Sequence, residues 1–129
     1  LNLAPPLAMQ AKWFAGHVAY TMAKYGMSMC TLGMSAEFRA QGIAVNSLWP
    51  RTTIATAAIE VNFPEAVLKA SRKPDIMADA AHAILRRDSR QATGNFYIDE
   101  DVLREEGITD FTPYAVTPGG PLQTDLFLE

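Results

Sequence analysis

Gly42-Ile43-Ala44-Val45-Asn46-Ser47-Leu48-Trp49-Pro50 is a mostly apolar run of strand length set between two residues that punctuate backbone structure. Gly42 is suited to cap a helix that ends before it, and Pro50 cannot donate to a continuing ladder. An apolar run without strict alternation predicts a strand over 43–49 that is covered on both faces, as in a parallel sheet. Upstream, a helical pattern runs over about 15–41; downstream lies the polar loop Arg51-Thr52-Thr53-Ile54-Ala55-Thr56. Helix, glycine, buried strand and polar loop form half of a doubly wound α/β unit. Ligands in that architecture bind beyond the carboxyl ends of the strands, where residues 50–56 fall.

The helix is unusual for its lack of charge. Between Trp13 and Ala36 the only full charge is Lys24, and four of the six methionines lie here (Met22, Met27, Met29 and Met34). A surface helix shows a polar stripe opposite its apolar one, and this sequence barely does, so the helix is expected to be buried on most sides. Core packing accounts for one face. A symmetric partner subunit, giving a homodimer or homotetramer through the 15–41 helix, is the economical cover for the other. A membrane span is not expected, because the uncharged run after Lys24 stops at Ala36, short of the ~20 residues a span needs.

Tyr20 and Lys24 lie four residues apart on this helix, so their side chains leave the same face. A phenol beside an ammonium is suited to proton transfer, since the cation favours the phenolate. A lone lysine on so apolar a helix is costly to bury without a partner or a role. The spacing alone is weak, because Tyr-x-x-x-Lys arises by chance in roughly one chain in five of this length. Its surroundings carry more.

Taken together, Tyr20, Lys24, Asn46, Pro50, Ile54 and Thr56 occur in an order that resembles the short-chain dehydrogenase/reductase family. That family places Tyr-x-x-x-Lys on a long helix, then a strand ending in Asn-x-x-x-Pro-Gly, then a hydrophobic residue and a threonine. Lys73-Pro-Asp-Ile-Met-Ala-Asp-Ala-Ala-His-Ala-Ile-Leu85 resembles its late helix (about 74–87), and Thr93-Gly-Asn-Phe-Tyr-Ile-Asp99 its last central strand (about 94–99). The resemblance covers residues 1–102 and implies a Rossmann-type parallel sheet, with 103–129 as an extended tail. It also implies NAD or NADP as cofactor, with Tyr20 the general acid/base and Lys24 the residue that holds the nicotinamide ribose and tunes the phenol. Pro50, the main chain at Ile54 and the Thr56 hydroxyl would stand at the nicotinamide end, and residues 57–72 would form a lid over an alcohol or carbonyl substrate of some apolar bulk.

Three departures accompany the resemblance. Residues 1–19 contain no Ser or Thr, so the family's serine donor to the substrate oxygen has no counterpart; Ala4 stands before Pro5-Pro6 where relatives carry it. Losing such a donor costs about 3 kcal/mol of oxyanion stabilisation in comparable sites. His17, one turn before Tyr20, could substitute, or could serve in capping or packing. Arg51 replaces the usual glycine after Pro50, which reshapes the loop or offers a cation to a phosphate. Finally, none of the eight glycines has Gly-x-Gly spacing, so the phosphate-cradling turn is missing. The sequence therefore reads as the C-terminal half of a longer enzyme, with the N-terminal cofactor half absent.

Composition narrows the remaining classes. At 129 residues and 49% hydrophobic, the chain can bury one core. Residues 1–90 hold ten basic and six acidic side chains (+4), and 91–129 hold one and eight (−7), summing to the net −3. No basic stripe points to nucleic acid. The acidic stretch Asp99-Glu100-Asp101 with Glu105-Glu106 lacks metal-ligand spacing and is expected to be a solvated surface, so no metal is expected. The single Cys30 is expected as a small core residue in a reducing, cytoplasmic setting, and His82 lacks a second ligand nearby. The function expected is oxidoreduction of an alcohol and a carbonyl by hydride transfer. The alternatives are a catalytically weak dinucleotide-binding sensor or scaffold of the same fold, and a helix-mediated oligomerisation module.

Overall fold

Three strands run parallel in one sheet: β1 (Asn2–Leu3), β2 (Ser47–Trp49) and β3 (Phe96–Ile98), in the order β1-β2-β3. Asn2 pairs with Ser47, and Leu48 with Tyr97. The architecture comes from a computed structural model that describes residues 1–129. The chain divides into two compact units, one of Leu1–Trp49 with Ile84–Ile98 and one of Pro50–Ala83 with Asp99–Glu129.

In the first unit, helix α1 spans Val18–Glu37, shorter than the 15–41 expected. Gly16, at φ 83°, turns the chain ahead of it. Beyond it a 3-10 turn, Arg39–Gln41, ends at Gly42 in the left-handed region (φ 71°), the cap its sequence position predicts. The buried side of α1 is Thr21, Tyr25, Ser28, Thr31 and Ser35, spaced three or four residues apart. Each short hydroxyl has a partner. Ser28 Oγ donates to the Pro5 carbonyl (2.7 Å), Thr31 Oγ1 pairs with Ser47 Oγ (2.7 Å), and Asn2 Nδ2 donates to Thr31 Oγ1 (2.8 Å). The Tyr25 hydroxyl donates to Ala8 O (2.9 Å) while its ring meets Phe14 edge-on.

This hydroxyl stripe, where apolar core packing was expected, forms the inward face of the helix. Polar groups take the inward face, so the apolar side chains point away: Met22, Met29 and Leu32 are each more than half exposed. Cys30 shares that outer side and is exposed rather than a core residue.

Strand β2 is also shorter than the 43–49 expected. Ile43 is exposed, and Val45 and Asn46 combine backbone bonds, from the Gly94 amide to Val45 O (2.8 Å) and from the Asn2 amide to Asn46 O (2.9 Å), with side-chain ones. The Val45 amide donates to Thr93 Oγ1 (3.0 Å); Asn46 Nδ2 donates to Ala92 O (2.7 Å), and Asn46 Oδ1 accepts from the Asn95 amide (3.0 Å). Asn46 thus ties β2 to the turn that feeds β3.

In the second unit, residues 57–72 fold into two short, mainly exposed helices, α2 (Ala57–Asn62) and α3 (Glu65–Lys69). Helix α4 (Asp75–Leu85) starts after Pro74 and carries the chain into the first unit, burying Ile76, Ala80, Ala83 and Ile84. β3 ends at Ile98 because helix α5 (Asp99–Glu105) begins at once, so the expected extended tail opens with a helix. Asp99 and Glu100, 0% and 4% exposed, are core residues and not the solvated acidic surface expected, because backbone amides meet Asp99 and guanidinium groups meet Glu100. The rest of the tail is hydrogen-bonded: the Asp125 amide donates to Arg51 O (3.1 Å) and the Val116 amide to Ser71 O (3.0 Å).

Thr31→Val keeps the shape of the side chain but strands the fully buried Ser47 hydroxyl and the Asn2 amide. It should lower stability by about 1–3 kcal/mol, read as a reduced urea midpoint with an unchanged slope. An unchanged midpoint would contradict the role given to this hydroxyl contact.

Candidate active site

Tyr20 and Lys24 lie on the first and second turns of α1, and the periodicity that buries Thr21, Tyr25 and Ser28 turns Tyr20 outward. Tyr20 is 47% exposed, whereas Lys24 is half-buried. The Lys24 ammonium donates to the Leu3 carbonyl at the end of β1 (3.1 Å) and lies 5.3 Å from the centre of the Trp49 ring at the end of β2. A carbonyl dipole and an aromatic face therefore receive the cation at the carboxyl ends of two adjacent strands. An ammonium has three donors, so this arrangement leaves Lys24 capacity for hydroxyl groups.

His17 is fastened by its ring. The Thr21 hydroxyl donates its single hydrogen to Trp13 O (2.5 Å), so His17 Nδ1 is the donor in its 3.0 Å contact with Thr21 Oγ1. It makes no side-chain cap bond to α1, which favours packing over capping. Ala4 is fully buried.

The other expected site residues, Pro50, Ile54 and Thr56, belong to the second unit. Ile54 forms a parallel bridge with Arg72, in which the Arg72 amide donates to Thr53 O (2.9 Å) and the Ala55 amide to Arg72 O (2.8 Å). In such a bridge the residue between the two bonded neighbours turns its own N–H and C=O away, and Ile54 is that residue. Thr56 occupies the position before α2, where a threonine commonly caps the helix. Its carbonyl accepts from the Glu60 amide (2.9 Å), yet its side chain makes no cap bond. The segment thus offers a main-chain pair at Ile54 and a hydroxyl at Thr56, neither used by the local fold.

Six charged residues surround this segment, and of these the sequence reading weighed only Arg51 for the site. Arg72, 6% exposed, reaches Glu100 Oε1 through Nη2 (2.5 Å) and stacks over Phe111 (5.1 Å). Arg104 bonds the other oxygen of Glu100 (2.7 Å). Arg51 bonds Asp101 (2.5 Å) and approaches Glu100 (3.8 Å), while its amide donates to Asp99 Oδ1 (2.8 Å). This pairing favours the loop-shaping reading of Arg51. Burial pushes the Asp99 carboxyl above its ordinary range, against the pull of the Arg51 and Glu100 amides.

The chain is similar to known proteins along its whole length. Hydroxysteroid dehydrogenase-like protein 2 of Xenopus laevis is 57% identical over all 129 residues, and the human protein of that name 52%. The chain spans 30% of the length of each of these relatives. A crystallised candidate dehydrogenase from Xanthomonas campestris superposes with TM-score 0.92 at 53% identity, over 98% of this chain and 46% of that one. A short-chain dehydrogenase from Mycobacterium thermoresistibile gives 0.87 at 46%, over 98% and 45%. The chain carries a C-terminal part of a short-chain dehydrogenase fold. No family-wide sequence model matches it.

Tyr20 and Lys24 are singled out by the order of motifs around them, but the seat of Lys24 on Leu3 O and Trp49 is not readable from the sequence. Arg72, Asp99 and Glu100 were missed because a single sequence gives buried and solvated charges the same letters. A usable signal was Ile98-Asp99, where an acid follows a strand with no intervening turn residue.

Asp99 also sets a pH dependence. Its folded value lies above the ordinary 3.8, so the folded state holds the proton more tightly than the unfolded state, and the cost of ionised Asp99 grows as pH rises from there. The Tm difference between wild type and Asp99→Asn should therefore move in favour of wild type as pH falls from 7 to 4. A flat difference, or the opposite trend, would contradict this burial effect.

Proposed function

We propose that the protein is an oxidoreductase that interconverts an alcohol and a carbonyl compound with NAD or NADP, and that this chain supplies its proton-transfer and nicotinamide-binding residues. The observation that carries the reading is the seating of Lys24 against Leu3 O and Trp49, one helical turn from the exposed Tyr20. The dehydrogenase names of the relatives and the solved structures support it.

Each unit by itself offers polar groups suited to the nicotinamide end of such a cofactor. Lys24 has N–H groups for ribose hydroxyls, Ile54 a main-chain pair for a carboxamide, and Thr56 a hydroxyl unspent on its helix. The pyrophosphate has no cradle in these residues, since no Gly-x-Gly occurs. The bound cofactor supplies the hydride. The Tyr20 hydroxyl gives its proton to the carbonyl oxygen as the carbon is reduced, and takes it back in the reverse direction. Lys24 orients the ribose and favours the phenolate. Pro50 ends β2 and starts the segment that carries Ile54 and Thr56, and α2 and α3 cover the substrate as a lid.

Two further readings have specific support. A buried alanine at position 4, with no hydroxyl in residues 1–19, favours a catalytically weak dinucleotide sensor. The exposed Met22, Met29 and Leu32 favour a homodimer or homotetramer through α1, whether the chain serves as an enzyme or as an oligomerisation module.

Titration of NADH and NADPH into the full-length protein, followed by nicotinamide fluorescence, tests the reading. Saturable binding of one cofactor, weakened at least about tenfold by Lys24→Ala (~1.4 kcal/mol), is expected. Tyr20→Phe should bind normally and lose turnover. Absence of binding to either cofactor would overturn the proposal, and binding without any alcohol oxidation would favour the sensor.

A further inference from the structure

Ile54 and Thr56 occupy a segment with little regular structure of its own, so something outside it must set its position. From 50 to 56 the chain forms only isolated bridges, Thr52 with Thr124 and Ile54 with Arg72. Its inner edge is held by the Arg72 backbone, which bonds both neighbours of Ile54. Arg72 is in turn held by its side chain. The guanidinium is nine-tenths buried, its Nε and Nη1 make no hydrogen bond, and Glu100 is its one carboxylate contact. Asp99 adds a longer-range attraction to the same guanidinium without a hydrogen bond to it.

The cluster is balanced. Arg51, Arg72 and Arg104 face Asp99, Glu100 and Asp101, three charges of each sign, all on the loop, its neighbouring strand-like segment and α5. Arg51, Asp101 and Arg104 reach solvent, and the buried Arg72–Glu100 pair contributes little net stability compared with an apolar core of the same shape. What it does contribute is register: a buried ion pair with a single partner has one low-energy position.

We propose that Glu100, acting through Arg72, is a positioning residue that sets where Ile54 and Thr56 present their polar groups to the nicotinamide carboxamide. Asp99 fixes the start of the same segment by accepting the Arg51 amide. The proposal rests on the cofactor reading above and adds a residue that touches neither cofactor nor substrate.

The test compares two probes on the full-length protein: NADH, and ADP-ribose, which lacks the nicotinamide and its carboxamide. If NADPH is the tighter cofactor, it and 2′-phospho-ADP-ribose take their places. Glu100→Gln keeps the size of the side chain and removes its charge. It should weaken NADH binding about tenfold and leave ADP-ribose binding unchanged, because only the carboxamide contact is displaced. A merely structural defect would weaken both probes alike. Should Glu100→Gln fail to fold, the double variant Arg72→Met with Glu100→Leu removes both charges together, and the same selective loss is expected. Unchanged NADH binding, or equal loss of both probes, in a folded variant would overturn the proposal. Wild-type protein that binds NADH no more tightly than ADP-ribose would instead count against the cofactor reading itself.

Discussion

Small hydroxyls facing the sheet govern the first unit. Thr21, Ser28, Thr31 and Ser35 give α1 a buried side with little bulk, so the helix can lie close to β1 and β2 and bond to them directly. Two consequences follow from one pattern. The inward face takes the polar groups, which leaves the methionines outside. The same helical phase puts Tyr20 on the exposed side and lets Lys24 reach back to Leu3 O and Trp49 at the strand ends. A helix packed through leucines would stand further off, and the lysine would have no strand-end carbonyl within reach.

The second unit is organised by charge instead. Its central segment is short of regular pairing, and its polar groups at Ile54 and Thr56 stay uncommitted because Arg72 binds their neighbours rather than them. Burying Arg72, Asp99 and Glu100 to hold so short a segment is an expensive arrangement if stability were the only purpose. It is understandable where the direction of a few polar groups matters. The two units thus use different means toward the same end, which is to hold particular side chains in one place.

How much was legible in the sequence depends on whether a pattern is local. The helix–glycine–strand order around Gly42 was readable because caps and apolar runs act over a few residues, and the parallel sheet followed from it. Strand length was over-read, since Thr93 and Asn46 replace ladder bonds through contacts almost fifty residues away in sequence. Which face of α1 packs inward is not readable for a similar reason: hydroxyls bonded to a sheet look polar in a composition and behave as core. Asp99 and Glu100 were read as solvated because their partners, Arg51 and Arg72, are distant in sequence. Tyr20, Lys24, Ile54 and Thr56 are candidates through the order of motifs, which single residues would not have supplied.

The central claim is that Lys24 is held ready for a nicotinamide ribose beside an accessible Tyr20. A crystal structure of the full-length protein with its reduced cofactor would test it most directly. The account predicts Lys24 Nζ within hydrogen-bond distance of the nicotinamide ribose hydroxyls, with the Tyr20 hydroxyl facing the space next to the nicotinamide ring. A ribose bound away from α1, with Lys24 still bonded to Leu3 O and nothing else, would contradict it.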